Sequence, residues 1–493
     1  MKILTAAQIR DLDAYTIQHE PIASIDLMER AAWALVNSFV QEYPPPTTIR
    51  IFCGLGNNGG DGLCMARLLH YLHYDVSCYI CRYSERTSDD FLWNEKRLER
   101  LKGSDGLWCQ DILTSDDFPE IGEEDIIFDA LFGSGLTRPL EGLPNALITY
   151  LNQQNCTRLA VDIPSGLMAD SYMESACFKA TKTYIFQGPK LSLLLPQNAP
   201  FVGAFEVVDI ELSDVGLAAM TTDFHYLTLQ DIVPYIKKRP KFSHKGTHGH
   251  ALIMAGNHRM TGAAVLATKA ALKVGAGLVT TYTPQKAVAI LQNQCPEAMI
   301  WGDAAKKHLT HLPQLEKYGC IAIGPGIGQH PKTQKFVDDL LQNYDCPLVL
   351  DADALNIITA NHWQNRIPKG SILTPHPKEL ERLTQKVSND YEQIKILSIL
   401  ACEIESIILL KRAHTVIALP NGQLYFNSTG NPAMGTGGSG DVLTGMIVGL
   451  LAQGYSAKEA SLLGVYFHGK AGDDAVTAMT QIVAGDLIQF MEI

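Results

Sequence analysis

Two stretches of the chain carry residues whose types and spacing suit chemistry on a phosphate or a hydroxyl. The first is Gly430-Asn431-Pro432-Ala433-Met434-Gly435-Thr436-Gly437-Gly438-Ser439-Gly440-Asp441, followed at once by the apolar run from Val442 to Leu451. Glycine at that density does not hold a helix, whereas the run behind it has apolar residues at helical spacing. A Gly-rich loop therefore feeds a helix N-terminus, whose unpaired N–H groups and dipole attract anionic oxygens. Asp441 stands where a carboxylate can take a proton from a substrate hydroxyl. The N–H groups of Gly437, Gly438, Ser439 and Gly440 would meanwhile hold the phosphoryl group under attack. Taken alone, such a run reads first as a flexible loop before a core helix. The second stretch is Gly54-Leu55-Gly56-Asn57-Asn58-Gly59-Gly60-Asp61-Gly62. It lies between a strand-like Ile49–Cys53 and a helix expected to run to about Tyr74. A tight turn needs some of these glycines and asparagines. Asn57, Asn58 and Asp61 add polar side chains that neither a turn nor the usual dinucleotide fingerprint calls for.

Two further acids end strand-like runs. Asp125–Ala130 leads into Leu131-Phe132-Gly133-Ser134-Gly135-Leu136-Thr137-Arg138-Pro139, and Arg158–Asp162 leads into Ile163-Pro164-Ser165-Gly166. In a parallel doubly wound sheet the carboxyl ends of the strands converge on one crevice. Asn58, Asp129, Asp162 and Ser165 can then meet although far apart in sequence, and such oxygens suit a hard cation or hydroxyl chemistry. Either acid alone reads as a cap for the loop that follows it.

The elements that must position these groups are alternating strands and helices. Residues 5–19 and 24–41 read as helices, and strands recur at Thr183–Phe186 and Phe205–Ile210. Sheet signals then stop, and 211–226 reads as a linker. Beyond it a strand at Ala251–Gly256 precedes an Ala-rich helix from Thr261 to about Gly275. Further strands are expected at Cys320–Ile323, Leu348–Asp353 and Ile407–Leu410, and a hairpin over Thr415–Tyr425 turns at Asn421-Gly422. The pattern predicts two α/β domains, 1–215 and 225–493.

A net charge of -12 argues against nonspecific nucleic-acid binding. No apolar run is long enough to span a bilayer, and the N-terminus has no signal-peptide core, so the chain is expected to be cytoplasmic. The eleven cysteines sit mostly in apolar segments, as reduced core thiols do. Cys78 and Cys81 form one CxxC in a strand-like run, where residues three apart face opposite sides, which disfavours a shared metal or redox role.

With these motifs in place, the chain resembles the bifunctional NAD(P)H-hydrate repair enzymes over nearly its whole length. The first half is similar to the epimerase domain of that family in LMERA at 27–31, GLGNNGGDG at 54–62, DALFGSGLTRP at 129–139 and DIPSG at 162–166. The second half is similar to the ADP-dependent dehydratase, a ribokinase-like domain. It carries HKG at 244–246, GAA at 262–264, GAGLVT at 275–280, GPG at 324–326, DADAL at 351–355, TPHP at 374–377 and GNPAMGTGGSGDVLTG at 430–445. The resemblance implies a Rossmann-like doubly wound domain followed by a ribokinase-like α/β/α sandwich.

It also implies roles. Asn57, Asn58, Gly59, Gly60 and Asp61, with Gly133, Ser134, Gly135, Leu136, Thr137, Arg138 and Pro139, would hold hydrated NADH or NADPH. Asn58, Asp129 and Ser165 would bind potassium, with Asp162 catalytic at the substrate. In the second domain Ala263, Gly326, His376 and the catalytic Asp441 would face the hydrated nicotinamide. Lys411, Arg412, Ala413, His414 and Thr415, with Gly437 to Gly440, would bind ADP with magnesium. Family members are commonly oligomeric, so a homo-oligomer, tetramer or larger, is expected. The sequence departs from the family pattern at Lys378, Met260, His248 and Lys470, none of them assigned to chemistry. A ribokinase-like small-molecule kinase with a fused nucleotide-binding domain fits the Gly-rich loop equally well, and a non-reacting nucleotide sensor is a third possibility.

Overall fold

The computed structural model describes residues 1–101 and 107–492. They fall into two compact units, Lys2–Thr222 and the residues from Asp223 onward together with Met1. The first unit holds strands β1 (Thr48–Cys53), β2 (Asp75–Cys81), β3 (Leu107–Ile112), β4 (Ile126–Ala130), β5 (Thr157–Val161), β6 (Lys182–Phe186) and β7 (Ala204–Val208). They pair in the order β3-β2-β1-β4-β5-β6-β7, all parallel. The order reverses between β1 and β4, which opens a crevice at their carboxyl ends. Both faces of the sheet are covered. Ile49, Ile51 and Cys53 pack with Leu35, Phe39, Leu63 and Leu69 on one side. Phe52 packs with Ile127, Leu147 and Leu151 on the other. Cys78 belongs to the first of these cores and Cys81 to the second, as strand alternation requires, and the cysteines are free thiols.

The expected glycine-rich turn at 54–62 is shorter in the structure. The helix Asn57–Tyr71 begins inside it, so Asn58 to Gly62 are helical. Close packing overrides the poor helix propensity of glycine. A Cβ at Gly59 would stand 2.0 Å from the Gly54 carbonyl oxygen, and one at Gly62 would stand 2.7 Å from Cys53 Sγ.

The second unit has strands β8 (Phe224–Leu227), β9 (His250–Met254), β10 (Leu278–Pro284), β11 (Met299–Asp303), β12 (Cys320–Ile323), β13 (Leu348–Leu350), β14 (Ile372–Leu373), β15 (Ile407–Leu410), β16 (Val416–Ala418) and β17 (Leu424–Asn427). Their order is β11-β10-β9-β12-β13-β14-β15-β16-β17-β8. Neighbours from β11 to β15 are parallel, and β16 is antiparallel to both β15 and β17. The expected linker at 211–226 is instead ordered. It holds the helix Asp214–Ala219 and most of β8, which pairs with β17. That pairing joins segments about 200 residues apart, and nothing local announces it. The helix Ser439–Ala452 begins three residues earlier than its apolar run. It lies close on the helix Thr261–Lys273, where a Cβ at Gly445 would stand 2.2 Å from the Ala267 carbonyl oxygen. Among the described residues no helix is long and apolar enough to cross a membrane.

Candidate active sites

In the first unit a cavity of about 710 Å³ opens over the carboxyl ends of β1 and β4. Asn57, Asn58 and Asp61 line it from one helix, and Gly133, Ser134, Gly135, Leu136, Thr137 and Arg138 line it from the loop after β4. Asp162 and Lys190 lie in its wall. Asp162 follows β5 with φ of 64°, a left-handed conformation in which its N–H reaches the Tyr184 carbonyl at 2.8 Å. Its Oδ1 lies 2.8 Å from Lys190 Nζ, and its Oδ2 accepts from the Ser134 N–H at 3.1 Å. Burial alone would raise the Asp162 carboxyl. The Lys190 charge and these hydrogen bonds outweigh it and hold the group below the usual carboxylate range. Lys190 is itself buried and also donates to the carbonyls of Phe186 and Gly188, at 3.0 and 3.4 Å.

Beneath the cavity Asp129 is fully buried. Its carboxylate accepts from Ser165 Oγ at 2.6 Å, from the Ser165 N–H at 2.7 Å and from the Leu131 N–H at 3.1 Å. Burial lifts its pKa to about 6, and those bonds restrain the rise. Asn58 reaches the same loop from its helix, since a Cβ at Gly133 would meet Asn58 Oδ1 and Asp162 Oδ2, each at 3.3 Å. The structure thus brings Asp129 and Ser165 into contact and sets Asn58 and Asp162 both close to Gly133. Gly59, Gly60 and Pro139 do not line the cavity. Gly59 and Gly60 pack instead against Gly54 and the Met28 sulfur.

The second unit gathers its chemistry at the N-terminus of the helix Ser439–Ala452. Gly438, at φ of 97°, caps that helix in a left-handed conformation that glycine adopts without strain. Asp351, at the end of β13, is buried. Its Oδ1 lies 2.9 Å from Lys411 Nζ and its Oδ2 accepts from Thr444 Oγ1 at 2.8 Å. Burial would raise Asp351 and depress Lys411, but their mutual attraction wins, so both stay charged. Gly440 leaves room for that lysine, because a Cβ there would stand 3.3 Å from Lys411 Nζ. Asp441 has no such partner. Burial first, then the negative charge of Asp351, push it up to about 7 against the pull of Lys411. His468 donates from Nε2 to the Ser439 carbonyl at 3.0 Å, and burial drops its pKa to about 4, so it stays neutral.

The remaining expected residues of this unit make contacts of their own. A Cβ on Gly326 would stand 3.0 Å from Ala263 Cβ, so the two are neighbours and the glycine keeps a space open. Gly328 N–H donates to Asp353 Oδ2 at 2.8 Å, which ties this loop to an acid that itself acts on Asp441. His376 caps the helix Pro377–Leu383, with Nδ1 accepting from the N–H groups of Lys378 and Glu379. Of the nucleotide set, Lys411 reaches the centre. Arg412 pairs with Asp390 at 2.9 Å, and His414 is held by the Asn427 carbonyl at the same distance. The departures are accommodated: Lys378 sits in the first turn of its helix, and Lys470 pairs with Asp474 at 2.8 Å. Sequence reasoning had assigned no role to Lys190 or Asp351. Asp351 stands in the DADAL run at a strand end, and Lys190 follows β6 in an apolar stretch, and those positions were the available signals.

A doubly wound sheet with an acid–lysine pair at its crevice in one unit, and a mixed sheet with an aspartate at a Gly-rich helix start in the other, define a two-site enzyme of the nucleotide-handling α/β class. The family described as NAD(P)H-hydrate dehydratase matches residues 251–491, and that described as YjeF-related protein N-terminus matches 24–192. The chain is 37% identical to the bifunctional NAD(P)H-hydrate repair enzyme Nnr of Moorella thermoacetica, covering 100% of this chain and 96% of that one. It is 34% identical to the protein of the same name from Coxiella burnetii, over 95% and 93%. The solved ADP/ATP-dependent NAD(P)H-hydrate dehydratase of Bacillus subtilis is 34% identical, covers 54% of this chain and 96% of that one, and superposes with a TM-score of 0.48. The chain belongs to the bifunctional NAD(P)H-hydrate repair enzymes.

Proposed function

We propose that the first unit interconverts the two C6 epimers of NAD(P)H hydrate. The second unit dehydrates the S epimer to NAD(P)H, consuming ADP and releasing AMP and phosphate. The observation that carries this is the pairing of two differently tuned aspartates. Asp162 is held ionised by Lys190, and Asp441 is poised near neutrality beside Lys411. In the second site Asp441 takes the proton of the C6 hydroxyl, whose oxygen attacks the β-phosphate of ADP. The helix N-terminus and Lys411 meet the phosphate charge, and AMP departs. The ring nitrogen then expels phosphate, leaving an iminium, and loss of the C5 proton to the departing phosphate restores the dihydronicotinamide. Magnesium would enter with the nucleotide and offset the charge of its phosphates, with Asp351 at the same centre as an oxygen donor.

In the first site Asp162 takes the same hydroxyl proton, and the hemiaminal opens and recloses on its other face. Potassium suits Asn58, Asp129 and Ser165. The donors are all oxygens, and the buried Asn58 Nδ2 has no partner, so the turned-over amide would present its oxygen there instead. Bound there, potassium would supply positive charge at the floor of the cavity. We assign the boundary between the functional domains to the stretch from 215 to 225, and read the protein as a cytoplasmic homo-oligomer, which light scattering and fractionation test.

The experiment is recovery of reduced-nicotinamide absorbance from mixed NADH-hydrate epimers with magnesium, potassium and ADP. Full recovery supports both activities, and recovery of one epimer's share alone refutes the epimerase assignment. Recovery with ATP but not ADP reverses the donor, and no recovery with either turns the assignment to the small-molecule kinase, which product analysis with ATP then checks.

A further inference from the structure

The cavity of the first unit contains an acid that the chemistry above has not used. Ala6, Ile9, Arg10, Asp13, Ala14 and Ile17 turn one stripe of the first helix, Ala6–His19, toward the cavity. Their spacing of three and four places them on one face. On that face Asp13 is the one carboxylate. Among the described residues no hydrogen-bond or ion-pair partner meets it, although it is half-buried. Burial and the neighbouring negative charge of Asp162 push it up to about 6, against the pull of Lys190.

Opening a hemiaminal needs two proton movements. The hydroxyl must lose its proton as C6–O becomes a carbonyl. The ring nitrogen must gain one as the C6–N1 bond breaks and its electrons pass to nitrogen. Asp162 suits the first, since it is ionised and keeps lone pairs beyond those engaged by Lys190 and Ser134. Lys190 does not suit the second, because its three donor positions face Asp162, Phe186 and Gly188. We propose that Asp13 donates the proton to the ring nitrogen in the epimerisation, opposite Asp162, and recovers it when the ring recloses. This rests on the assignment of the first unit as the epimerase. After rotation about the C5–C6 bond, nitrogen attacks the other face of the aldehyde, returns its proton to Asp13, and the oxygen takes back the proton on Asp162. Atoms and charge balance with no other reactant. Two carboxylates whose surroundings push their proton affinities apart are the usual signature of an acid–base pair.

Other titratable groups share the cavity and bear on the test. Arg10 extends from the same helix and Arg138 from the loop after β4. Asp61 faces it from the helix Asn57–Tyr71, and Tyr83 and Asp90 come from beyond β2. Asp61 is largely buried, and burial and then Asp162 hold it well above the usual carboxylate range.

The test measures exchange between chromatographically separated epimers of NADH hydrate with the full chain, with ADP omitted so that the dehydratase is silent. Asp13→Asn is expected to slow exchange by about 100-fold or more with KM little changed. It should also abolish the fall in kcat/KM above about pH 6 that a required protonated acid imposes. Asp13→Glu should restore part of the rate, and dehydration of pure S epimer with ADP stays normal in both variants. Exchange by Asp13→Asn within about threefold of the parent would overturn the proposal. So would a loss confined to KM, retention of the alkaline fall, no rescue by Asp13→Glu, or disappearance of that fall in Asp61→Asn instead. Unchanged exchange in Asp162→Ala would point elsewhere, refuting the epimerase assignment itself.

Discussion

Asp441 makes the sharpest prediction about the second site. A general base works only when ionised, and kcat/KM reports its state in the free enzyme. With a pKa of about 7, Asp441 is ionised in about ten molecules of eleven at pH 8 and about one in eleven at pH 6. The kcat/KM for dehydration of pure S epimer should therefore fall about tenfold between those values. It should stay level above about pH 8. Asp441→Asn should remove the limb and lower the rate by about 100- to 10,000-fold. A subtler change sets the direction of the shift. Asp353 adds to the negative field that raises Asp441, and its Oδ2 accepts from Gly328 N–H. Asp353→Asn keeps an oxygen for that bond and removes the charge, so the acid limb should move to lower pH. The assay is the initial rate of absorbance recovery with S epimer and magnesium–ADP both well below saturation, the epimer isolated immediately before use. A level profile from about pH 6 to pH 8, or Asp441→Asn keeping more than about a tenth of the rate, would refute the base role. An upward move in Asp353→Asn would refute the electrostatic account of its tuning.

Other perturbations follow from the same geometry. Asp162→Ala should abolish epimer exchange and leave dehydration of the S epimer untouched, and equal loss of both would show damage to the fold. Lys190→Met strands a buried carboxylate and should destabilise the first unit by about 3–5 kcal/mol, read as an earlier urea transition. Because the Asp162 pKa lies below its unfolded value, the stability it contributes is present above the unfolded pKa near 4 and lost only as pH falls further. Unfolding at neutral pH therefore measures that contribution whole. Gly445→Ala places a methyl 2.2 Å from the Ala267 carbonyl and should lower the melting temperature of the second unit by several degrees, while the same change at Gly437, which has open space, should not. Replacing potassium with a large organic cation should slow epimer exchange without changing dehydration if Asn58, Asp129 and Ser165 hold the ion.

Much of this protein was legible in its residues. Local signals sufficed wherever a strand's apolar run met a glycine or an acid. They placed β1, β4, β5 and β13, the start of the Thr261–Lys273 helix and the Asn421-Gly422 hairpin, because strand ends and caps depend on neighbours in sequence. Asp162 and Asp441 were visible for the same reason, as acids beside glycine or strand ends. What the sequence could not reveal depends on contacts across long separations. The helical state of Asn58 to Gly62 follows from the close approach of Gly54 and Cys53. The β8 strand exists because β17 offers an edge about 200 residues away. The proton affinities were decided the same way. Asp162 and Asp441 look alike in sequence. Only the fold gives the first its own lysine and sets the second, without one, beside Asp351, whose charge keeps Lys411 engaged. Asp13 is an ordinary acid on a surface-patterned helix until the doubly wound sheet turns that face toward a cavity. Electrostatic fields act through space, so the character of each carboxylate was settled by tertiary packing rather than by the residues beside it.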